Sequence, residues 1–281
     1  MSAIQELLRS ELRATGIQLG LDRTPTDTAI HEARQHVKRA RALLHLLRQT
    51  ISDRSYRGVN RHLRHVNRHL RYVRDRAAIA ETLQWVGARS PYMGPAVLSV
   101  RQYWRRHQWR RVTEDFEQAR RLARKHLARA VAAARHWKTA PAQDELVLHA
   151  IRLAYRKARK AYRRATRADS AASWHDCRKA AKSLYYQSQA VSPAARKSSP
   201  MIREAHLLEA ILGRDRDLRL LAAEIRRSGA EQTSNAAVLL EHIQLRRAAL
   251  RQKAKRVATQ LFRDHHQADP MTLHPRRRAG R

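Results

Sequence analysis

His31-Glu-Ala-Arg34-Gln-His-Val-Lys38-Arg39-Ala-Arg41 returns later in the chain as His175-Asp-Cys-Arg178-Lys179-Ala-Ala-Lys182-Ser-Leu-Tyr185-Tyr186, with the two histidines 144 residues apart. A second landmark repeats at nearly the same offset: Leu70-Arg71-Tyr-Val-Arg74-Asp75 and Leu212-Gly-Arg-Asp-Arg216-Asp217 lie 142 residues apart. Self-similarity over this length predicts two copies of one folded unit. The repeated property is a histidine followed by arginine and lysine at helical spacing.

On a helix starting near His31, the side chains of Arg34, Lys38, Arg41 and His45 fall on one face, with Arg39 at its flank. His175, Arg178, Lys179, Lys182 and Tyr186 form a similar stripe on the second cassette helix. Like charges stacked turn upon turn are destabilising, and almost no acid is interleaved to relieve them. An anion lying along the face would remove the strain. Arginine suits that role because its planar fork can hold two phosphate oxygens, while lysine adds a mobile point charge. Each histidine sits in the early turns of its helix, where free N–H groups also attract anions. Neighbouring cations should lower the pKa of His31 and His175, and a bound phosphate chain should raise it. The bland alternative for both cassettes is a solvated helix face without a partner.

Composition points the same way. Among 281 residues there are 59 Lys and Arg against 24 Asp and Glu, a formal net charge of +35. A compact body so charged repels itself, which implies a polyanionic partner: nucleic acid, an anionic membrane surface or a chain of phosphates. Glycine and proline number 8 each and aromatics are 5%. That disfavours a sandwich or barrel, whose turns recur every few residues. The single Cys177 excludes an intramolecular disulfide and suggests a reducing compartment. The N-terminus has no signal-peptide pattern, and no apolar run approaches the roughly 20 residues of a spanning helix. The expectation is a soluble cytoplasmic protein with no membrane partner.

The apolar spacing predicts long helices over about 3–19, 25–51, 53–87, 96–111, 113–137, 142–167, 170–190, 201–228 and 235–264. Thr24-Pro25 reads as a helix start, and Ser90-Pro-Tyr-Met-Gly-Pro95 as a break. Ala140-Pro141-Ala142 is the expected boundary between an N-terminal half, 1–140, and a C-terminal half, 141–268; the basic tail 269–281 is expected to be disordered. The fold class is therefore all-α: two tandem four-helix-type bundles related by internal duplication, with a basic groove or central pore between them.

A third basic row, Arg152, Arg156, Arg159 and Arg163, precedes the second cassette and has no counterpart in the first half. Arg71, Arg74 and Arg216 accompany the second landmark and are assigned to the same anion site. Asp75 and Asp217 repel phosphate; they are either partners that orient a neighbouring arginine or histidine or structural ion pairs. His36, His62, His65 and His69 read as surface or groove-edge residues. His65 and His69 have i,i+4 spacing, but no nearby glutamate completes a zinc-protease pattern.

These residues resemble the CHAD family, the histidine-bearing α-helical domain, over roughly 3–265. The family pattern is His, then Arg at +3 and Lys or Arg at +7, often with basic residues at +8 and +10. His31, Arg34, Lys38, Arg39 and Arg41 meet each position; His175, Arg178 and Lys182 meet the second copy, and Tyr186 matches the aromatic that often follows. Ser183 and Tyr185 stand where the second cassette often carries basic residues, so the first half is expected to contribute more contacts. The resemblance implies helical bundles around a basic groove that binds inorganic polyphosphate and associates with polyphosphate granules. No Glu-x-Glu-x-Lys triphosphate-tunnel signature is present, so the resemblance brings no enzymatic activity, cofactor or metal with it. Two other readings stay open: a nonspecific nucleic-acid binder, which the charge permits although no recognition motif is found, and a phosphate-processing enzyme, for which the acids look too isolated to hold Mg²⁺.

Overall fold

The computed structural model describes residues 3–20, 27–107, 112–135, 137, 144–191, 199–233 and 235–263, apart from a few helix side chains, Arg74 among them. The Thr24-Pro25 start, the boundary at 140–142 and the tail 269–281 lie outside the described residues. Every regular element described is helical: α1 (Ala3–Gly20), α2 (Asp27–Leu46), α3 (Asp53–His69), α4 (Arg71–Arg89), α5 (Gly94–His107), α6 (Val112–Arg135), α7 (Asp144–Ala168), α8 (Ala171–Val191), α9 (Pro200–Arg227) and α10 (Ala236–Arg263).

The helix ends follow capping chemistry. Ser52 accepts from the Ser55 N–H at 3.2 Å to open α3, and Ser199 followed by Pro200 opens α9. Before α8, the Ser170 hydroxyl accepts from the Ser173 N–H while the Ser173 hydroxyl accepts from the Ser170 N–H. Asp169, at φ 38°, ends α7, and its carboxylate accepts the indole N–H of buried Trp174 at 2.5 Å. That contact helps to fix the start of the second cassette helix.

Two of the cores are four-helix bundles. Leu8, Leu12, Val37, Leu44, Leu63, Val66 and Leu127 close the first, from α1, α2, α3 and α6. Ile151, Trp174, Leu184, Leu208 and Leu261 close the second, from α7 to α10. A third core joins them: Ile79, Leu83, Val100 and Trp104 of α4 and α5 pack on Leu218, Leu221, Leu239 and Ile243 at the far end of α9 and the near end of α10. The Trp104 indole donates to the Ser228 hydroxyl at 2.8 Å. Gly229 follows at φ 79°, with the Tyr103 hydroxyl 2.8 Å from where a Cβ would stand, so a side chain there would be strained and crowded.

The third core explains a difference from the periodicity. The single helix expected over 53–87 is two helices that meet at Leu70 (φ −78°, ψ −4°). The Leu70 N–H still reaches the Val66 carbonyl at 3.2 Å, so the apolar spacing runs through the bend unbroken. The bend turns α4 away from the first bundle and onto α9.

Candidate functional site

Five helices turn one face each into a shared groove of about 720 Å³. The first cassette lines one wall from α2 with His31, Arg34, Lys38, Arg39 and Arg41. The second lines the facing wall from α8 with His175, Arg178, Lys179, Lys182 and Tyr186. The neighbouring helices complete it: α3 and the start of α4 bring Arg64, Arg68, Arg71 and Asp75, and α9 brings Glu209, Arg214, Arg216 and Asp217. Among the described residues twelve Lys and Arg line the groove against three carboxylates, so its field is strongly positive.

The cations form a floor and a rim. On the floor the Arg178 guanidinium and the Lys182 ammonium both donate to Glu209 Oε1, at 2.9 and 2.8 Å. Burial raises the Glu209 pKa, but Lys182 and Arg178 outweigh it and hold the carboxyl below its ordinary value. Lys38 faces this trio. Burial, then the charges of Lys182, Arg34 and Arg178, push its pKa down to about 6, with Glu209 opposing only in part. Burial and Arg178 lower Lys182 as well, against Glu209. Gly213 lets the floor form: a Cβ there would stand 3.3 Å from Arg178 Nε and Nη2, so the guanidinium lies flat on α9. Arg178 Nε and His175 Nδ1 are buried without a hydrogen-bond partner, an uncommon state for polar atoms. The rim is exposed: Arg39, Arg64, Arg68, Arg71 and Lys179 face solvent.

The cassettes touch through one relay. The Tyr186 hydroxyl donates to Gln35 Oε1 at 2.5 Å, leaving the Gln35 amide N–H to donate to His31 Nε2 at 3.1 Å. The order of atoms assigns the His31 tautomer, with Nε2 as acceptor. Lys182 lies 5.6 Å above the Tyr186 ring. Burial, then Lys179, Arg178 and Arg216, lowers the His175 pKa, so desolvation acts ahead of the neighbouring cations expected from sequence.

The carboxylates Asp75 and Asp217 both hold Arg216, at 2.8 and 3.0 Å, and Asp75 also accepts from Arg71 at 3.0 Å. They are ion-pair partners that orient an arginine, so the two sequence alternatives describe one arrangement.

Of the residues read from sequence, five are not brought into the groove, and these are corrections. Arg152, Arg156 and Arg163 are exposed and Arg159 is half-buried on α7, none of them lining it. On the flank of that row Tyr155 and Tyr162 turn inward and donate to carbonyls of α10, while the arginines stay on the outer part of α7, away from the groove. His45 lies beyond the end of the groove. Its Nδ1 pairs with the Tyr56 hydroxyl at 2.7 Å, and burial, then Arg41, Lys157 and Arg48, pushes its pKa down to about 4. Away from the groove and held neutral, this ring offers no charge to an anion there. The Arg74 side chain is outside the described residues.

The profile of the CHAD domain matches residues 6–226. The chain belongs to the CHAD family. A crystal structure of the CHAD domain from the plant Ricinus communis is similar in fold, with a TM-score of 0.53 and 19% identity over 97% of this chain and 90% of that one. No curated protein matches the chain in sequence. No helix among the described residues of this CHAD protein is long and apolar enough to cross a membrane.

Sequence reasoning missed Gln35, Arg64, Arg68, Glu209 and Arg214 in the CHAD groove. Arg64 and Arg68 carried a signal, being one turn apart on the face of α3 that avoids Leu63 and Val66. Arg214, stacked 4.6 Å from the centre of the Trp85 ring, carried none.

Proposed function

We propose that the groove binds inorganic polyphosphate as an extended anion and carries out no chemistry on it. The observation that carries this reading is the floor: Lys38 pushed down to about 6 beside Lys182 and Arg178, with the Arg178 Nε donor and the His175 Nδ1 nitrogen buried and unpartnered. Cations held so close are strained alone and relieved by an anion. The CHAD family is linked to polyphosphate binding in general, and association of this chain with polyphosphate granules in the cytoplasm is part of the proposal.

The groove aromatics favour a bare phosphate chain over nucleic acid. Among the described residues, the groove aromatics offer no free face for base stacking: Tyr185 is buried, and Tyr186 is covered by Lys182 and tied to Gln35. The groove acids also favour binding over hydrolysis. Asp75, Asp217 and Glu209 are each engaged by arginine or lysine, so they do not form an open carboxylate pair for a divalent ion.

The test reverses the exposed rim. Arg39→Glu, Arg64→Glu and Arg68→Glu together, on side chains whose loss leaves the cores intact, should weaken long-chain polyphosphate binding at least 100-fold with helicity unchanged. Polyphosphate should also displace duplex DNA, and excess DNA should not displace polyphosphate. Wild-type affinity in the triple variant overturns the reading, and DNA outcompeting polyphosphate replaces the ligand with nucleic acid.

A further inference from the structure

α3 presents a third face that neither the first core nor the groove uses. Val59, Leu63, Val66 and Leu70 point into the bundle, and Arg64, Asn67 and Arg68 point into the groove. His62, His65 and His69 share the remaining side, as the helical period of 3.6 residues requires. α6 brings His126 to the same place. The His65 and His126 rings are 4.5 Å apart and 15° from parallel, and the His69 and His126 rings 5.5 Å apart. His62 Nδ1 lies 3.2 Å from His126 Nδ1. All four rings are half-buried.

We propose that His65, His69 and His126 form a binding site for a divalent transition metal that clasps α3 to α6. One ligand nitrogen from each of the three lies within 4.8 Å of the others. Around a tetrahedral ion with metal–nitrogen bonds of about 2.0–2.1 Å, ligand nitrogens stand about 3.4 Å apart, so small side-chain rotations close the set. His62 supplies the outer partner: its contact with His126 Nδ1 leaves Nε2 of that ring for the ion, as metal-bound histidines commonly require.

The chemistry of the donors selects the metal. Three neutral imidazoles and no carboxylate suit Zn²⁺, Ni²⁺, Co²⁺ or Cu²⁺, and do not suit Mg²⁺ or Ca²⁺, which need oxygen ligands. Arg61, Arg68 and Arg129 stand beside the histidines and oppose a dication, so the expected affinity is on the order of micromolar, well short of that of structural zinc sites.

The site is independent of the anion groove, so its test uses no polyphosphate, which would itself sequester the ion. The untagged full chain, freed of metal by a chelator, is titrated with Zn²⁺ and with Ni²⁺ by calorimetry, and with Co²⁺ by visible absorption. One ion per chain, a nitrogen-ligand Co²⁺ spectrum and a raised Tm are expected. His126→Gln and, separately, His65→Gln should each weaken binding at least tenfold and abolish the Tm rise, with helicity unchanged. His242→Gln, remote from the cluster, serves as the control and should bind as wild type. Failure of the wild-type chain to bind Zn²⁺ or Ni²⁺ below about 100 times the expected micromolar range overturns the proposal, as does full retention of binding in both cluster variants.

Discussion

Arg216 donates to Asp75 at 2.8 Å across 141 residues of chain, so the two Leu-x-x-x-Arg-Asp segments meet at the groove wall and pair with one another. Asp217 holds the same guanidinium from the other side. The second landmark of the repeat is thus also a contact.

This pair predicts a split between stability and affinity. Asp75→Asn removes one negative charge from the groove and loosens Arg216. Polyphosphate affinity should rise severalfold, while stability falls by about 1–2 kcal/mol through the lost charged hydrogen bonds. Binding isotherms and thermal melts on the same preparation check both. Weaker binding together with a lower Tm would mean that Asp75 serves the ligand by positioning Arg216.

Lys38 predicts proton uptake. In the free protein its pKa of about 6 leaves it mostly neutral at pH 7.5, and an anion in the groove restores the ammonium. Binding should therefore take up protons at that pH, and affinity should fall as pH rises above about 6. Calorimetry in buffers of different ionisation heat measures the uptake. Lys38→Gln should remove most of it, and Lys179→Gln on the rim should not. His175 and Lys182, both lowered, account for what remains. The sign for folding is opposite. The unfolded chain binds the Lys38 proton more tightly than the folded one, so stability of the ligand-free protein should rise with pH between about 6 and the ordinary lysine value of 10.5.

Gly213→Ala separates helix propensity from site geometry. In the interior of α9 the change should stabilise the helix by up to about 1 kcal/mol. Its Cβ would stand 3.3 Å from two Arg178 nitrogens, forcing the guanidinium to shift by a few tenths of an ångström off Glu209. The expected variant melts no lower than wild type yet binds polyphosphate severalfold more weakly. Unchanged affinity would show that Arg178 tolerates displacement.

The groove was legible where periodicity and charge coincide. His31, Arg34 and Lys38 share a face of α2, and His175, Arg178 and Lys182 share one of α8; both faces line the site. The same logic failed for Arg152, Arg156, Arg159 and Arg163. Spacing tells which side chains lie together on a helix, and it does not tell what stands opposite them. The Leu70 bend was hidden because no proline or glycine marks it and the apolar row continues past it. Glu209 gave no signal because a carboxylate among thirty-odd excess positive charges reads as ordinary surface relief until Arg178 and Lys182 are seen to converge on it.

The third core has a mechanical consequence. Because α4 and α5 are packed against the far ends of α9 and α10, the α4 and α9 sides of the groove share a keel that resists swinging apart like jaws. An extended anion would therefore be laid in sideways through the open side, and the width of the trough should stay constant as it fills.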